Sequence, residues 1–344
     1  MTQAEPIADR VGLPGSLVGR WPAPSTQRLL ADLVPPRHFA RERFDTYRPD
    51  PAHPSQTAAL ARLRQVADVV AHPPALPRFR RRLPARPAVY LDGGFGVGKT
   101  HLLASLAHAV GAPGTAYGTF VEYTHLVGAW GFPATVAALA RHALVCIDEF
   151  ELDDPGDTML MTRLVRELSD RGVALAATSN TLPESLGQGR FAAEDFLREI
   201  QAMASRFEVL RIDGPDYRHR TAATGRPGLT DDEVRSAVAA RPDATLDDFG
   251  ALLDHLGRVH PSRYGALLDG VGLVGLTGVG PVASQDVALR LVVLVDRLYD
   301  RDVPVVLGGT GERGLFADDM LAGGYRKKYY RALSRLGALT EAAG

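Results

Sequence analysis

The stretch VYLDGGFGVGKTHLL, residues 89–103, constrains this chain more than any other part of it. An apolar run passes into four glycines within six positions, then into Lys99-Thr100, and apolar residues resume. Gly93-x-x-x-x-Gly98-Lys99-Thr100 has the spacing of a phosphate-binding loop, and it follows a predicted buried strand and opens a predicted helix, as such a loop must. Glycines let main-chain N–H groups converge on phosphate oxygens, while the helix opening at Thr100 aims its unpaired amides and positive dipole end at the same place. The predicted nucleotide contacts are Gly93, Gly94, Phe95, Gly96, Val97, Gly98, Lys99, Thr100 and His101. Lys99 would bridge the β- and γ-phosphates of ATP, and the Thr100 hydroxyl would ligate Mg²⁺.

Lysine is rare here: of 39 basic residues only Lys99, Lys327 and Lys328 are lysine, and the rest are arginine. Arginine presents a planar fork, whereas lysine is a compact ammonium on a flexible stem that fits between phosphate oxygens. Position 99 is therefore chosen for shape as well as charge.

With 344 residues, 45% of them hydrophobic and 23% charged, the chain can bury a substantial core. A net charge of −1 leaves no whole-molecule field, so an anionic partner must be held by a local patch, and nucleic acid is not suggested globally. The single Cys146, inside LVCID, excludes an intramolecular disulfide and reads as a small core residue in a reducing compartment. No stretch nears the roughly 20 apolar residues of a membrane span, and MTQAEPIADR lacks an apolar signal core. The expected location is cytoplasmic.

Three regions are predicted: an extended N-terminal arm at 1–53, a P-loop ATPase core at 54–220 and a C-terminal lid or partner region at 221–344. The core opens with a helix at 54–70, followed by a linker in which Arg78, Arg80, Arg81, Arg82 and Arg86 stand between prolines that stop any helix. That strip reads as a solvated connector or an anion-binding surface. Strands at AVYLDG, TFVEY, LVCID, VALAATSN and FEVLRI then alternate with helices at 100–110, through LVGAWGFPATVAALARHA, at 157–171 and near 194–203. Five short apolar strands separated by helices predict an α/β fold, a parallel five-stranded sheet with helices on both faces. Beyond 221 the pattern mixes helices, at 231–240, 245–256 and 284–300, with an apolar VGLVGLTGV and a strand VPVVLG.

In LVCIDE, four apolar residues run into Asp148-Glu149, the form of a Walker B strand. A carboxylate at the C-terminal end of a parallel strand lies on the same sheet edge as the P-loop. Asp148 is the predicted Mg²⁺ residue, and Glu149 would orient and polarise the attacking water. Because another strand and helix intervene, VALAATSN can insert between the P-loop strand and LVCID, which brings Asn180 beside the γ-phosphate; an ordinary turn asparagine is the plainer reading. Arg206, preferred over Arg198, is the candidate arginine finger for a neighbouring subunit's site, its plainer reading being a surface or interface ion pair.

The elements GGFGVGKTHLL, LVCIDEFELDD with Asp154 and Asp157, ATSN, RFEVLRIDGPDYRHR with Asp216-Tyr217-Arg218, ALRLVVLVDRLYDRDVPVVL and RALSRL together resemble the ZapE cell-division ATPase family. This is the AFG-like branch of AAA+-type P-loop ATPases. The resemblance implies ATP hydrolysis coupled to remodelling a protein partner, the tubulin-like GTPase FtsZ in bacterial members, by a ring-like, nucleotide-dependent homo-oligomer. It also marks Arg290 and Arg335 as nucleotide sensors or, more plainly, structural arginines. A different class stays open, a DNA-associated helicase loader, because such proteins join an AAA+ core to basic flanks.

Overall fold

The computed structural model describes residues 15–73, 86–94, 96–150, 155–181, 193–215 and 226–343. The chain divides into two compact units, one running from Pro24 to Arg220, the other joining Thr221–Gly344 to the N-terminal residues up to Ala23.

The first unit contains α1 (Thr26–Ala31), α2 (Pro54–Ala71), β1 (Ala88–Gly93), α3 (Lys99–Val110), β2 (Thr115–Thr119), α4 (Phe120–Trp130), α5 (Phe132–Leu139), β3 (Leu144–Asp148), α6 (Pro155–Asp170), β4 (Ala174–Ser179), α7 (Ala193–Ala204) and β5 (Glu208–Ile212). Its strands form one parallel sheet in the order β2-β3-β4-β1-β5, so β4 does insert between β1, which leads into the glycine loop, and β3, which ends at Asp148. This is the expected α/β architecture, a parallel five-stranded sheet with helices on both faces.

Alternate strand residues feed apolar clusters on opposite faces. Val89, Leu91, Leu144, Cys146, Ala174 and Ala176 meet Leu63 and Val66 of α2 and Leu102 and Leu106 of α3. Tyr90, Val145, Ile147, Leu175 and Ala177 meet Tyr123 of α4 and Leu164 and Leu168 of α6. Burial on both faces is why these strands read as unbroken apolar runs and not as alternating ones.

Three expectations need correction. The predicted strand TFVEY is the end of β2 and the first turn of α4, because Thr119 and Glu122 form a reciprocal capping box that starts a helix at Phe120. The single helix expected through LVGAWGFPATVAALARHA is two, broken at Gly131, whose φ of 79° leaves the helical region. The helix expected at 245–256 is β6 (Ala244–Asp248) followed by α9 (Phe249–Arg258), with Asp248 accepting from the Ala251 N–H as N-cap.

The second unit adds α8 (Asp231–Ala239), α10 (Tyr264–Leu267), β7 (Leu273–Thr277), α11 (Gln285–Asp300), β8 (Val305–Leu307), α12 (Asp318–Ala322) and α13 (Arg326–Glu341) to β6 and α9. Its strands form a parallel sheet ordered β6-β7-β8. Gly15 pairs with this sheet, donating to Ala244 O and accepting from Leu246 N, so the predicted N-terminal arm is shared between the units. The apolar core is built on α9, α11 and α13, with Leu252, Leu291, Val295 and Leu336 among its members.

Candidate functional site

Strand β1 ends at Gly93, and the chain returns as α3 at Lys99. Gly96 and Gly98 take φ of 76° and 90°, values that side-chain-bearing residues adopt at a cost, so the turn demands glycine at both. Crowding adds to that demand. A Cβ at Gly93 would lie 2.3 Å from Ile212 O, and one at Gly98 would lie 2.6 Å from Cε2 of Tyr47. The Tyr47 hydroxyl donates to Val97 O at 3.0 Å, pinning the loop from the side. Phe95 lies outside the described residues.

Lys99 is buried, and its Nζ donates to Gly93 O at 2.9 Å, Gly94 O at 2.6 Å and Asn180 Oδ1 at 2.8 Å. The P-loop ammonium and the predicted water-positioning asparagine are thus in direct contact. One residue on, Thr100 Oγ1 donates to Asp148 Oδ1 at 3.4 Å. The sheet order makes this possible, because β3 and β4 carry Asp148 and Asn180 to the edge where β1 delivers the loop.

Asp148 is held from several sides. Oδ1 accepts from the Glu149 N–H at 3.1 Å and from the Thr178 hydroxyl, while Oδ2 accepts from the Tyr117 hydroxyl at 2.8 Å. Glu149 has φ 55°, uncommon for a residue other than glycine, and its N–H also donates to Thr178 Oγ1 at 3.0 Å. The Phe150 N–H continues the turn, donating to Thr178 O at 2.7 Å. This left-handed step takes the half-buried Glu149 out of the sheet ladder at the strand end. Such backbone costs about 1–3 kcal/mol and persists only where surrounding bonds enforce it.

His101, predicted as a nucleotide contact, turns its Nε2 to Thr46 Oγ1 at 3.0 Å and Arg43 O at 3.2 Å, with Glu42 Oε2 at 3.4 Å. It ties the segment before α2 to the first turn of α3. Arg206 lies just after α7 and pairs with Asp170 of α6 at 3.0 Å, both side chains partly exposed. Arg198 is exposed on α7. In the second unit, Arg290 donates to Leu256 O at 3.2 Å, and Arg335 pairs with Asp296 at 2.5 Å beside Arg331, itself 2.8 Å from the same carboxylate. Glu151, Asp154, Asp216, Tyr217, Arg218 and the linker arginines Arg78, Arg80, Arg81 and Arg82 lie outside the described residues.

Asp92, near the end of β1, is a buried carboxylate not singled out from sequence. Burial raises its pKa above the ordinary value, against the pull of Arg211 and Lys99. Gln56 was likewise missed: it accepts from Asp50 N and donates to Asp213 O, each at 2.8 Å, joining the start of α2 to the residue after β5. Tyr47, Tyr117 and Gln56 carry no motif, and only the long-range fold brings Tyr47 to Val97 of the loop, Tyr117 to Asp148 and Gln56 to Asp213.

The donor set suits a magnesium nucleotide. Thr100 and Asp148 offer two hard oxygens side by side, which suits a cation that keeps most of its shell for water and phosphate. The backbone at Gly93 and Gly98 admits no Cβ, so no side chain can stand at either position of the loop.

A family model described as AFG1-like ATPase matches residues 23–237 and 228–343. The cell division protein ZapE of Escherichia coli K12 is 35% identical over 102 residues, 29% of this chain and 27% of that protein. The uncharacterized protein C115.02c of Schizosaccharomyces pombe is 29% identical over 153 residues, 40% of this chain and 34% of that one. The chain thus spans about a third or less of the length of these curated relatives. Among solved structures, DnaA from Aquifex aeolicus bound to AMPPCP aligns over 53% of each chain at 11% identity and a TM-score of 0.39.

Proposed function

The chain belongs to the AFG1-like ATPase family, and from that premise we propose that it binds ATP with Mg²⁺, hydrolyses it to ADP and phosphate, and uses the cycle to remodel a protein partner in cell division, FtsZ first among the candidates. The observation that carries this reading is the meeting of four groups at one sheet edge: Lys99 with Asn180 at 2.8 Å, and Thr100 with Asp148 at 3.4 Å.

In this reading the main-chain amides of residues 93–98 and the N-terminus of α3 hold the phosphates. Lys99 exchanges its carbonyl partners for β- and γ-phosphate oxygens. Thr100 and Asp148 hold Mg²⁺, which when bound neutralises charge on those oxygens. Glu149 orients and polarises a water for in-line attack on the γ-phosphorus as the bond to the bridging oxygen breaks, and Asn180 helps place that water. Arg206 serves the site of a neighbouring copy in a ring-like, nucleotide-dependent homo-oligomer, releasing Asp170 when it does so.

The test is the rate of phosphate release per subunit, measured against protein concentration and repeated with FtsZ filaments. A rate that climbs with concentration and again with filaments supports the reading. Turnover insensitive to both, combined with DNA binding that weakens steeply with salt, would replace the remodelling role with that of a helicase loader.

A further inference from the structure

We propose that Tyr117 is a positioning residue for the magnesium site, acting through Asp148; this rests on the reading that the P-loop unit binds magnesium nucleotide. Tyr117 sits on β2, opposite Cys146 in the register with β3, two residues before the Walker B aspartate. Its ring is buried at 2% exposure, in the cluster with Leu102, Leu103 and Leu106 of α3, and its hydroxyl reaches along the strands to Asp148 Oδ2 at 2.8 Å.

The two carboxylate oxygens are thereby given different work. Oδ1 faces Thr100, the Glu149 N–H and the Thr178 hydroxyl, whereas Oδ2 accepts the Tyr117 proton on the other side. A carboxylate turns about its Cβ–Cγ bond with little resistance, so a donor fixed to one oxygen sets the plane of the group and with it the aim of the other. The phenol does this without bringing a charge. A cationic partner at the same place would compete with Mg²⁺ for the carboxylate, while a neutral O–H leaves the negative charge free for the metal. The ring itself cannot drift, because the α3 leucines pack against it and α3 begins with Lys99-Thr100. The helix that carries one metal ligand therefore holds the residue that aims the other.

The test uses the full chain with AMPPNP and Mn²⁺, whose EPR signal reports free and bound metal directly. Tyr117→Phe keeps the ring and deletes the hydroxyl. Its Mn²⁺ dissociation constant in the nucleotide complex is expected to rise about 10–100-fold, the usual effect of removing a partner that orients a metal ligand. Metal-free nucleotide affinity should stay within about twofold, and turnover should recover when Mg²⁺ is raised. 4-Aminophenylalanine at position 117 restores a donor on the same ring and is expected to restore metal affinity. Unchanged Mn²⁺ affinity in Tyr117→Phe, or a loss that 4-aminophenylalanine does not rescue, overturns the proposal, and the second comparison covers a variant that folds poorly. Failure of the unaltered protein to bind Mn²⁺ with AMPPNP would instead overturn the nucleotide reading beneath it.

Discussion

Both parallel sheets of this chain end in acidic residues at the C-terminal edge, yet the two edges use them differently. In the second unit the carboxylates are consumed mainly by main-chain donors. Asp247 accepts from the Leu17 and Val18 N–H groups and the Ser16 hydroxyl, Asp248 caps α9, and Asp231 accepts from the Gly278 N–H. In the P-loop unit, Asp148 is braced by neutral donors on both sides while Thr100 stands beside it, and Lys99 rests on carbonyl oxygens that a phosphate can replace. The two edges differ in what stands beside the carboxylates: at the first sheet a buried lysine and a glycine loop with positive φ at Gly96 and Gly98 lie next to the acidic strand end.

Variants in the P-loop unit should alter chemistry more than stability. Glu149→Gln should lower turnover about 10²–10⁴-fold while ATP stays bound, and Lys99→Ala should lose the nucleotide. Filter binding alongside phosphate release separates the two, and equal turnover in Glu149→Gln and the unaltered protein would reject the water-activating role.

The second unit should show the reverse. Asp296 of α11 lies between Arg331 and Arg335 of α13, with all three side chains at 16% exposure or less. Asp296→Ala leaves two guanidinium groups without their carboxylate and should cost about 3–5 kcal/mol, read from urea unfolding. Nucleotide affinity per folded molecule should not move.

The pH dependence of stability sharpens the contrast, because one carboxylate in each unit is displaced in opposite directions. Burial pushes Asp296 upward, but Arg331 and Arg335 outweigh it and hold the pKa below the ordinary value. Its contribution is complete above the unfolded pKa, about 3.9, and is lost as pH falls through the lower folded value. Asp92 is raised by burial, so stability falls as pH climbs from the unfolded pKa through its folded one. Asp296→Asn should flatten the acid limb of a stability profile, and Asp92→Asn should remove the decline above it. Interchanged effects would contradict both environments.

The smallest effect is expected at Arg206. Its partly exposed pair with Asp170 should contribute no more than about 1 kcal/mol, so Asp170→Ala should barely shift the unfolding midpoint. If Arg206 reaches a neighbouring copy, Arg206→Ala should instead abolish the rise in rate with protein concentration.

Much of this was legible in the chain because it is local. The spacing of Gly93, Gly98, Lys99 and Thr100 specifies a turn and a helix start by backbone sterics alone, and LVCIDE specifies a buried strand that ends in the carboxylates of Asp148 and Glu149. The intervening strand and helix even implied where β4 would insert. The strand predicted at TFVEY failed although Thr119 and Glu122 spell a capping box, because the apolar and β-branched residues around them suit either structure.

What only the tertiary structure decided is which distant side chains complete the site. Tyr47 meets Val97 across 50 positions, and Tyr117 meets Asp148 across 31. A buried tyrosine looks the same in sequence whatever its hydroxyl touches, since the pattern that buries the ring is set by neighbours while the hydrogen bond depends on which strands and helices lie side by side. Local sterics wrote the glycine loop into the amino-acid order; the aim of the carboxylate opposite it had to wait for the sheet to close.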